Sequence, residues 1–371
     1  MPRGGTEREA LWYESGQDAT AAESGHAAPR SGRHADGAAR DLAGSGHALD
    51  GRISCLLCPH LCRIPADGHG VCGVRFNRAG RLTLPFYGRI SSLAVDPIEK
   101  KPLYHFHPGA RILSAGFVGC SLRCKFCQNW QISQGTKAAT EFMDPDTLVD
   151  TALREGSFGI AYTYSEPLIH AEYLVDTAAA ARRAGLKNVL VSNGYLNPEP
   201  AAAVLALMDA ANIDLKAFDD GFYGKETGGS LEDVKRFITQ AAPLVHLEVT
   251  TLVIPSKNDT GEQIEGIARF IAALDARIPL HLSAYHPQYE YDIPQTPAST
   301  IHALVDVARR HLPHVYAGNV GGGASDTVCE GCGNVLVHRV GYSVRVTGIK
   351  NGSCAACGAP SPVIGARVLP R

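Results

Sequence analysis

The sequence predicts an α/β protein: a partial (β/α)6 barrel with small cysteine-rich metal-binding modules at both ends. Three observations predict it. From residue 112 onward, short apolar runs alternate with amphipathic stretches at the spacing of βα units. Polar residues stand just past nearly every apolar run, where a barrel gathers its loops at one mouth. The eleven cysteines fall into three compact groups with none left over.

The candidate strands are ILSAGFV (112–118), FGIAYTY (158–164), NVLVSN (188–193), NIDL (212–215), HLEVTTLVI (246–254) and LHLSAY (280–285). Helical patterns lie near 145–155, 168–185, 198–210, 231–242, 260–276 and 298–311. Six successive units argue for a parallel sheet, open or rolled into a partial barrel. The polar residues at the strand ends are Cys120, Glu166, Asn193, Asp214 with Lys216, and His286. A barrel mouth would bring a cysteine cluster to a carboxylate, an amide, an Asp–Lys pair and an imidazole.

The chain of 371 residues allows one large domain plus small modules. Its 45% hydrophobic content supports a sizeable core. A net charge of −2 gives no global case for nucleic acid or a membrane surface. The start, MPRGGTEREALWY, has no apolar signal region, and no run reaches the roughly 18 apolar residues of a membrane span. The expectation is a soluble, cytoplasmic protein.

Five segments follow. Residues 1–14 join the core, with EALWYE (9–14) short and apolar enough for a pinned strand or helix turn. Residues 15–50 are rich in Ala, Gly, Ser, Arg, His and Asp and are expected to be a disordered insertion. Its His26, His34 and His47 read as solvated residues. Residues 51–110 form a four-cysteine module and lead-in, 111–322 the barrel, and 323–371 a zinc-ribbon-like module.

In GFVGCSLRCKFCQNW (116–130), Cys120, Cys124 and Cys127 are spaced C-x3-C-x2-C. Thiolates suit zinc and iron–sulfur clusters. Three cysteines can hold three irons of a cubane and leave the fourth open to a small molecule. The alternative is a Cys3His zinc site closed by His105 or His107.

At the other end, Cys329-x2-Cys332-x21-Cys354-x2-Cys357 forms two knuckles, CEGCG and CAACG. Between them VLVHRVGYSVRV alternates as a β-hairpin does. This is a zinc-ribbon pattern, and the ion would supply much of the module's stability. The first group, Cys55-x2-Cys58-x3-Cys62-x9-Cys72, packs four cysteines into eighteen residues. Zinc is the first reading here and a second [4Fe–4S] cluster the alternative, with His60 able to replace a ligand.

The central motif resembles that of radical SAM enzymes. Together with TYSEP (163–167), VSNGY (191–195), NIDLKAF (212–218), TTLVIP (250–255), YAGNVGG (316–322), CLLCPHLCRI and DPIEKKPLYHF (96–106), it is similar to the AmmeMemoRadiSam system radical SAM enzyme. That family is related to the activating enzymes of pyruvate formate-lyase. The likeness covers roughly 5–14 and 51–365. It implies a [4Fe–4S] cluster on Cys120, Cys124 and Cys127 that binds S-adenosylmethionine and cleaves it by one electron. A 5′-deoxyadenosyl radical results and abstracts a hydrogen atom.

The resemblance also implies roles. Glu166 would receive the methionine amino group; it stands where such proteins usually carry Gly-Gly-Glu, with Tyr164 and Ser165 in place of the glycines. Asp214 and Lys216 match an Asp-Leu-Lys motif that helps bind S-adenosylmethionine. His286 matches a histidine that meets the ribose or carboxylate, Asn193 would line the same pocket, and Phe126 would stack near adenine. Lys100, Lys101, His105 and His107 are candidate substrate contacts at the mouth, or a solvated loop. Implied partners are an electron donor such as flavodoxin or ferredoxin, and Memo-like and AMMECR-like proteins. A glycyl-radical-enzyme activase and a non-catalytic zinc-binding scaffold are the competing readings.

Overall fold

The computed structural model describes residues 8–15, 51–321 and 325–366. The segment 16–50, with His26, His34 and His47, lies outside the described residues, as do 322–324.

One eight-stranded sheet organises the chain. At one edge β1 (Ser92–Pro97) runs antiparallel to β2 (Arg111–Gly116). Then β3 (Gly159–Thr163), β4 (Lys187–Ser192), β5 (Ala210–Asp214), β6 (His246–Val253), β7 (Leu280–Ala284) and β8 (Val315–Gly318) add in chain order. All pairings from β2 to β8 are parallel. The helices α1 (Pro145–Arg154), α2 (Ala171–Arg183), α3 (Pro198–Leu205), α4 (Leu231–Ala241), α5 (Gly261–Asp275) and α6 (Ala298–Arg309) connect them.

Six βα units are therefore present, but the sheet is larger than six strands. A seventh parallel strand, β8, follows the last unit, and β1 covers the opposite edge. Neither carries a strong local signal. β8 has four residues, and β1, SLAVDP, ends in a proline that suits only an edge. The inner strands are apolar on both faces, as β3 shows with all five residues buried, because helices cover a parallel sheet. The helices start where capping permits. Asp144 accepts from the Thr147 amide at 3.0 Å, with Pro145 in the first turn, and Ser230 and Thr260 cap α4 and α5. In α4, Leu231, Val234, Phe237, Ile238 and Ala241 fall on one buried face.

The two cysteine-rich ends sit differently. Arg8–Glu9 pairs with Arg81–Leu84, and Tyr13–Ser15 pairs with Ile53–Cys55. Cys55, Cys58 and Cys72 are buried in the same core as the central sheet. The C-terminal segment forms an antiparallel sheet from Thr327–Val328, Val335–Val340 and Ser343–Val346. It has a small core of its own: Cys329, Leu336, Val337, Ile349, Cys354 and Val363.

That segment docks where the parallel strands begin. Glu248, the third residue of β6 and fully buried, accepts four hydrogen bonds there. They come from the amides of Tyr104 (3.0 Å) and His105 (2.7 Å) and from His246 (3.0 Å) and His281 (2.6 Å). His105 continues to the Tyr316 hydroxyl at 2.6 Å, and Tyr316 to Thr327 at 2.8 Å. Arg339 lies over the Tyr104 ring and donates to the Tyr104 carbonyl. His314 meets Glu330, inside the first C-terminal knuckle, at 2.8 Å.

Candidate active site

The loop after β2 carries the central cysteines. Gly119 opens it with a positive φ of 79°, and a Cβ there would lie 2.4 Å from the Cys72 carbonyl oxygen. Only glycine allows this approach. Cys120 and Cys124 are buried and Cys127 is partly exposed. All eleven cysteines are free thiols.

The three sulfurs open onto a cavity of about 340 Å³. Glu166, Asn193, Asp214 and Lys216, from the C-terminal ends of β3, β4 and β5 and the loops after them, line it with them, as does Phe126. The parallel register explains the convergence: Thr163 pairs with Gly116, Ser192 with Ile213, and Asp214 with Thr250, so these strands end at one level.

Glu166 and Lys216 are partly, not fully, engaged. Glu166 accepts from the Leu168 amide (2.9 Å), Ser192 hydroxyl (2.7 Å) and Asn193 amide (2.9 Å). A carboxylate offers about four lone-pair sites, so one stays open toward the cavity. Burial pushes the Glu166 carboxyl up to about 7, against those donors; a cation beside it would restore its charge. Lys216 donates to Asp214 at 3.0 Å and sits 5.9 Å from the Phe126 ring centre. Burial opposes its charge, but Asp214 and Cys124 hold the proton on. Burial also raises the Cys124 thiol to about 11, with Lys216 the main opposing charge. Asn193 donates to the Cys120 sulfur at 3.5 Å and to Ser121 at 3.2 Å. Phe126 is buried against Phe222 and Tyr291.

His286 stands apart. It is exposed and lines a neighbouring opening with Pro287, Gln288, Gln128 and Asn319, of which only the last two also reach the main cavity. His105 and His107 do not line the cavity among the described residues. His105 belongs to the Glu248 network, and His107 packs on Phe106 and Phe158. Their sequence position before β2 suggested a mouth, but β1 and β2 are antiparallel, so the intervening turn lies at the opposite end of the sheet.

Lys100 and Lys101 leave that same turn yet do line the cavity. Lys101 is buried and donates to Asp96 at 2.7 Å; Lys100 reaches the other oxygen at 2.9 Å, and the Tyr164 hydroxyl also donates to Asp96. Burial lowers Lys101 to about 8, against the pull of Asp96. Asp96 and Tyr164 escaped the sequence reading of site residues. Their signal lay in DPIEKKPLYHF and in the departure from Gly-Gly-Glu. Tyr164 keeps a left-handed backbone, φ 73°, at a glycine's position, which costs about 1–3 kcal/mol. The Asp96 bond and Asn129, donating to the Tyr164 carbonyl at 2.6 Å, hold it there.

The C-terminal cysteines could hold a metal ion. Their ligand sulfurs all lie within 4.8 Å of one another, with Cys329–Cys357 at 3.6 Å and Cys332–Cys354 at 3.7 Å. A tetrahedral ion with bonds of about 2.3 Å needs sulfur–sulfur edges of about 3.8 Å. No helix among the described residues is long and apolar enough to cross a membrane.

Comparison with known proteins adds the family. The family model of the radical SAM superfamily matches residues 116–271, from the end of β2 into α5. The uncharacterized protein MJ0808 of Methanocaldococcus jannaschii is 38% identical over 318 residues, covering 83% of this chain and 95% of that protein. The pyruvate formate-lyase-activating enzyme of Clostridium pasteurianum is 25% identical over 186 residues, 48% of this chain and 76% of the enzyme. A domain of a pyruvate-formate lyase-activating enzyme from Bacteroides vulgatus aligns over 43% of this chain and 98% of that domain, at 20% identity and a TM-score of 0.39. The enzyme relatives set aside the non-catalytic scaffold. The chain belongs to the radical SAM superfamily and is a radical SAM enzyme related to the pyruvate formate-lyase-activating enzymes.

Proposed function

We propose that this enzyme reductively cleaves S-adenosylmethionine for hydrogen abstraction within the AmmeMemoRadiSam system. The carrying observation is one cavity that collects Cys120, Cys124, Cys127, Glu166, Asn193, Asp214 and Lys216 from the ends of four strands. The donor set fits the group the family implies: three thiols, a carboxylate with an open lone pair and a paired ammonium. Cys120, Cys124 and Cys127 would hold a [4Fe–4S] cluster. When bound, the cluster supplies the electron that splits the sulfonium into methionine and a 5′-deoxyadenosyl radical.

The protein's part is orientation. Glu166 suits the ammonium end of an amino acid and Lys216 its carboxylate. Asp214 holds Lys216 in place, Asn193 supports Cys120, and Phe126 offers a face for adenine. Lys100, Lys101 and Tyr164, all bonded to Asp96, add a polar stretch of cavity wall suited to a substrate beyond the cofactor. A flavodoxin- or ferredoxin-type donor, with Memo-like and AMMECR-like proteins, would complete the system. Zinc is the ion we assign to Cys329, Cys332, Cys354 and Cys357, on their spacing.

The test is anaerobic reconstitution with iron and sulfide, reduction with dithionite, and chromatography of 5′-deoxyadenosine. Slow release without substrate, accelerated by Memo-like and AMMECR-like proteins, is the expected result. A fully loaded cluster that yields none under several reductants rejects the reading. The similarity to pyruvate formate-lyase-activating enzymes favours a second reading, a glycyl-radical activase. It requires a protein-based glycyl radical, seen by electron paramagnetic resonance, when a glycyl-radical protein is added.

A further inference from the structure

We propose that Lys100 and Lys101 bind a carboxylate on the substrate, which makes the substrate class of this enzyme a small carboxylic acid. The assignment deepens the proposed function and rests on it for the substrate's role; the anion site itself is a property of the cavity.

Charge counting leads to it. At one wall of the cavity Lys216 and Asp214 match one to one, at 3.0 Å. Asp96 instead holds two ammonium groups, Lys101 on one oxygen at 2.7 Å and Lys100 on the other at 2.9 Å. Neither lysine has another ionic partner among the described residues. Burial opposes the Asp96 charge, but Lys101, Tyr164 and Lys100 hold its carboxyl well below the usual carboxylate range. Asp96 is thus ionised at neutral pH, and its two lysines carry one positive charge in excess. The charged side chain acting most on Glu166 is Asp214, so Glu166 does not answer that excess.

The donors point the same way. An ammonium has three N–H groups. Lys101 gives one to Asp96 and one, at 3.4 Å, to the Tyr164 hydroxyl oxygen; Lys100 gives one to Asp96. The others have no partner among the described residues. Lys100, Lys101 and Tyr164 line the cavity, whereas Asp96 does not. An anion in the cavity therefore meets the ammonium groups, with the aspartate behind them. Charge-assisted bonds to a buried ammonium are strong. A single excess charge matches a monoanion such as a carboxylate. A phosphate dianion would leave one negative charge unmatched next to Asp96.

The wall is also built around the aromatic ring. A Cβ on Gly116, at the end of β2, would lie 2.9 Å from the Tyr164 ring, so the ring takes the space of a side chain on that strand. Both ammonium groups lie over this ring, 4.4 Å from its centre for Lys101 and 5.9 Å for Lys100. Cation–π attraction orients the lysines without neutralising them. Tyr164 stands two residues before Glu166, so the anion site adjoins the group assigned to the cofactor's ammonium end.

The test needs no turnover. Ligand-detected NMR on the reconstituted full chain, with S-adenosylmethionine present, compares butyrate, its neutral counterpart butyramide, and methyl phosphate. Wild type should bind butyrate at least about tenfold more tightly than butyramide, roughly 1.4 kcal/mol. Lys100→Met leaves Lys101 and Asp96 as a neutral pair and should abolish the preference, while Lys100→Arg keeps it. Lys101→Met should abolish it too; the Lys100 side chain is 44% exposed, so Lys100→Met decides the matter if Lys101→Met does not fold. Lys216→Met should keep the preference, which separates this site from the Asp214 pair. Equal binding of acid and amide by wild type overturns the anion site, as does a preference that survives Lys100→Met or disappears in Lys216→Met. Methyl phosphate bound more tightly than butyrate overturns the carboxylate in favour of a phosphoester. If wild type forms no 5′-deoxyadenosine but the preference still depends on Lys100, the proposed function has failed and the anion site stands.

Discussion

The two ends of the parallel sheet carry similar chemistry and opposite states of satisfaction. Where the strands begin, Glu248 is buried with four hydrogen bonds, and the groups around it lead into the C-terminal module. Where they end, Glu166 is as deeply buried but has three, and it faces a cavity with Lys216 and three thiols. Burial of a carboxylate is costly in both places. At one end the protein answers every lone pair itself and obtains a docking joint. At the other it leaves one unanswered, which is what a ligand can complete. Burial alone therefore does not mark a site; incomplete satisfaction beside a cavity does.

The sharpest way to break this contrast is to empty the cavity end. Replacing Cys120, Cys124 and Cys127 together by Ala should remove about four irons and all 5′-deoxyadenosine formation, while the melting curve of the sheet stays cooperative. Unchanged iron would dismiss the assignment. Glu248→Ala should do the reverse. Loss of one partner from a buried charged network costs about 3–5 kcal/mol, read by denaturant unfolding, with iron content per folded chain unchanged. A variant as stable as wild type would show that the network carries no stability.

Lys216→Ala comes next. It should keep iron and colour but lower 5′-deoxyadenosine yield about a hundredfold, because a misplaced reactant of about 1 Å costs that much. Normal yield would take Lys216 out of the site. Cys354→Ser should then release about one zinc per chain and loosen the C-terminal module, seen as faster amide exchange over 327–354, without touching the central iron. Retained zinc would reject the tetrahedral set.

The smallest effect is a pH slope. Burial lowers the His105 pKa. Burial would raise that of Glu248, but His246 and His281 hold it well below the usual carboxylate range. The unfolded chain therefore takes up protons that the folded one refuses, first near the ordinary histidine value and then near the ordinary glutamate value. Stability present at pH 7 should fall as pH drops through about 6.5 and again below about 4.5. Glu248→Gln should flatten the lower part of that slope. An identical slope in the variant would assign the acid sensitivity elsewhere.

Much of the architecture was legible because it is local or periodic. Helices α1 and α4 to α6 lie within a few residues of the ranges their patterns suggest, since capping residues and the 3.6-residue period are written in short windows. The C-terminal hairpin was legible for the same reason: its alternation and Gly341 are contiguous. Strands β1 and β8 were not, because an edge strand's identity comes from its neighbour and not from its own pattern.

For the candidate site, the sequence alone singled out which residues could carry chemistry: three cysteines at a fixed spacing, and polar residues one step past apolar runs. Spacing along the chain is a covalent fact and survives without the fold. Only the tertiary structure decided which of them meet. It joined Glu166, Asn193, Asp214 and Lys216 to the cysteines and left His286 at a neighbouring opening. It sent His105 to the far end of the sheet while returning Lys101 through the interior to Asp96 and Tyr164. Adjacent residues in one turn can thus serve opposite ends of the molecule, because side-chain direction depends on strand polarity and packing, and neither is encoded in any single short stretch.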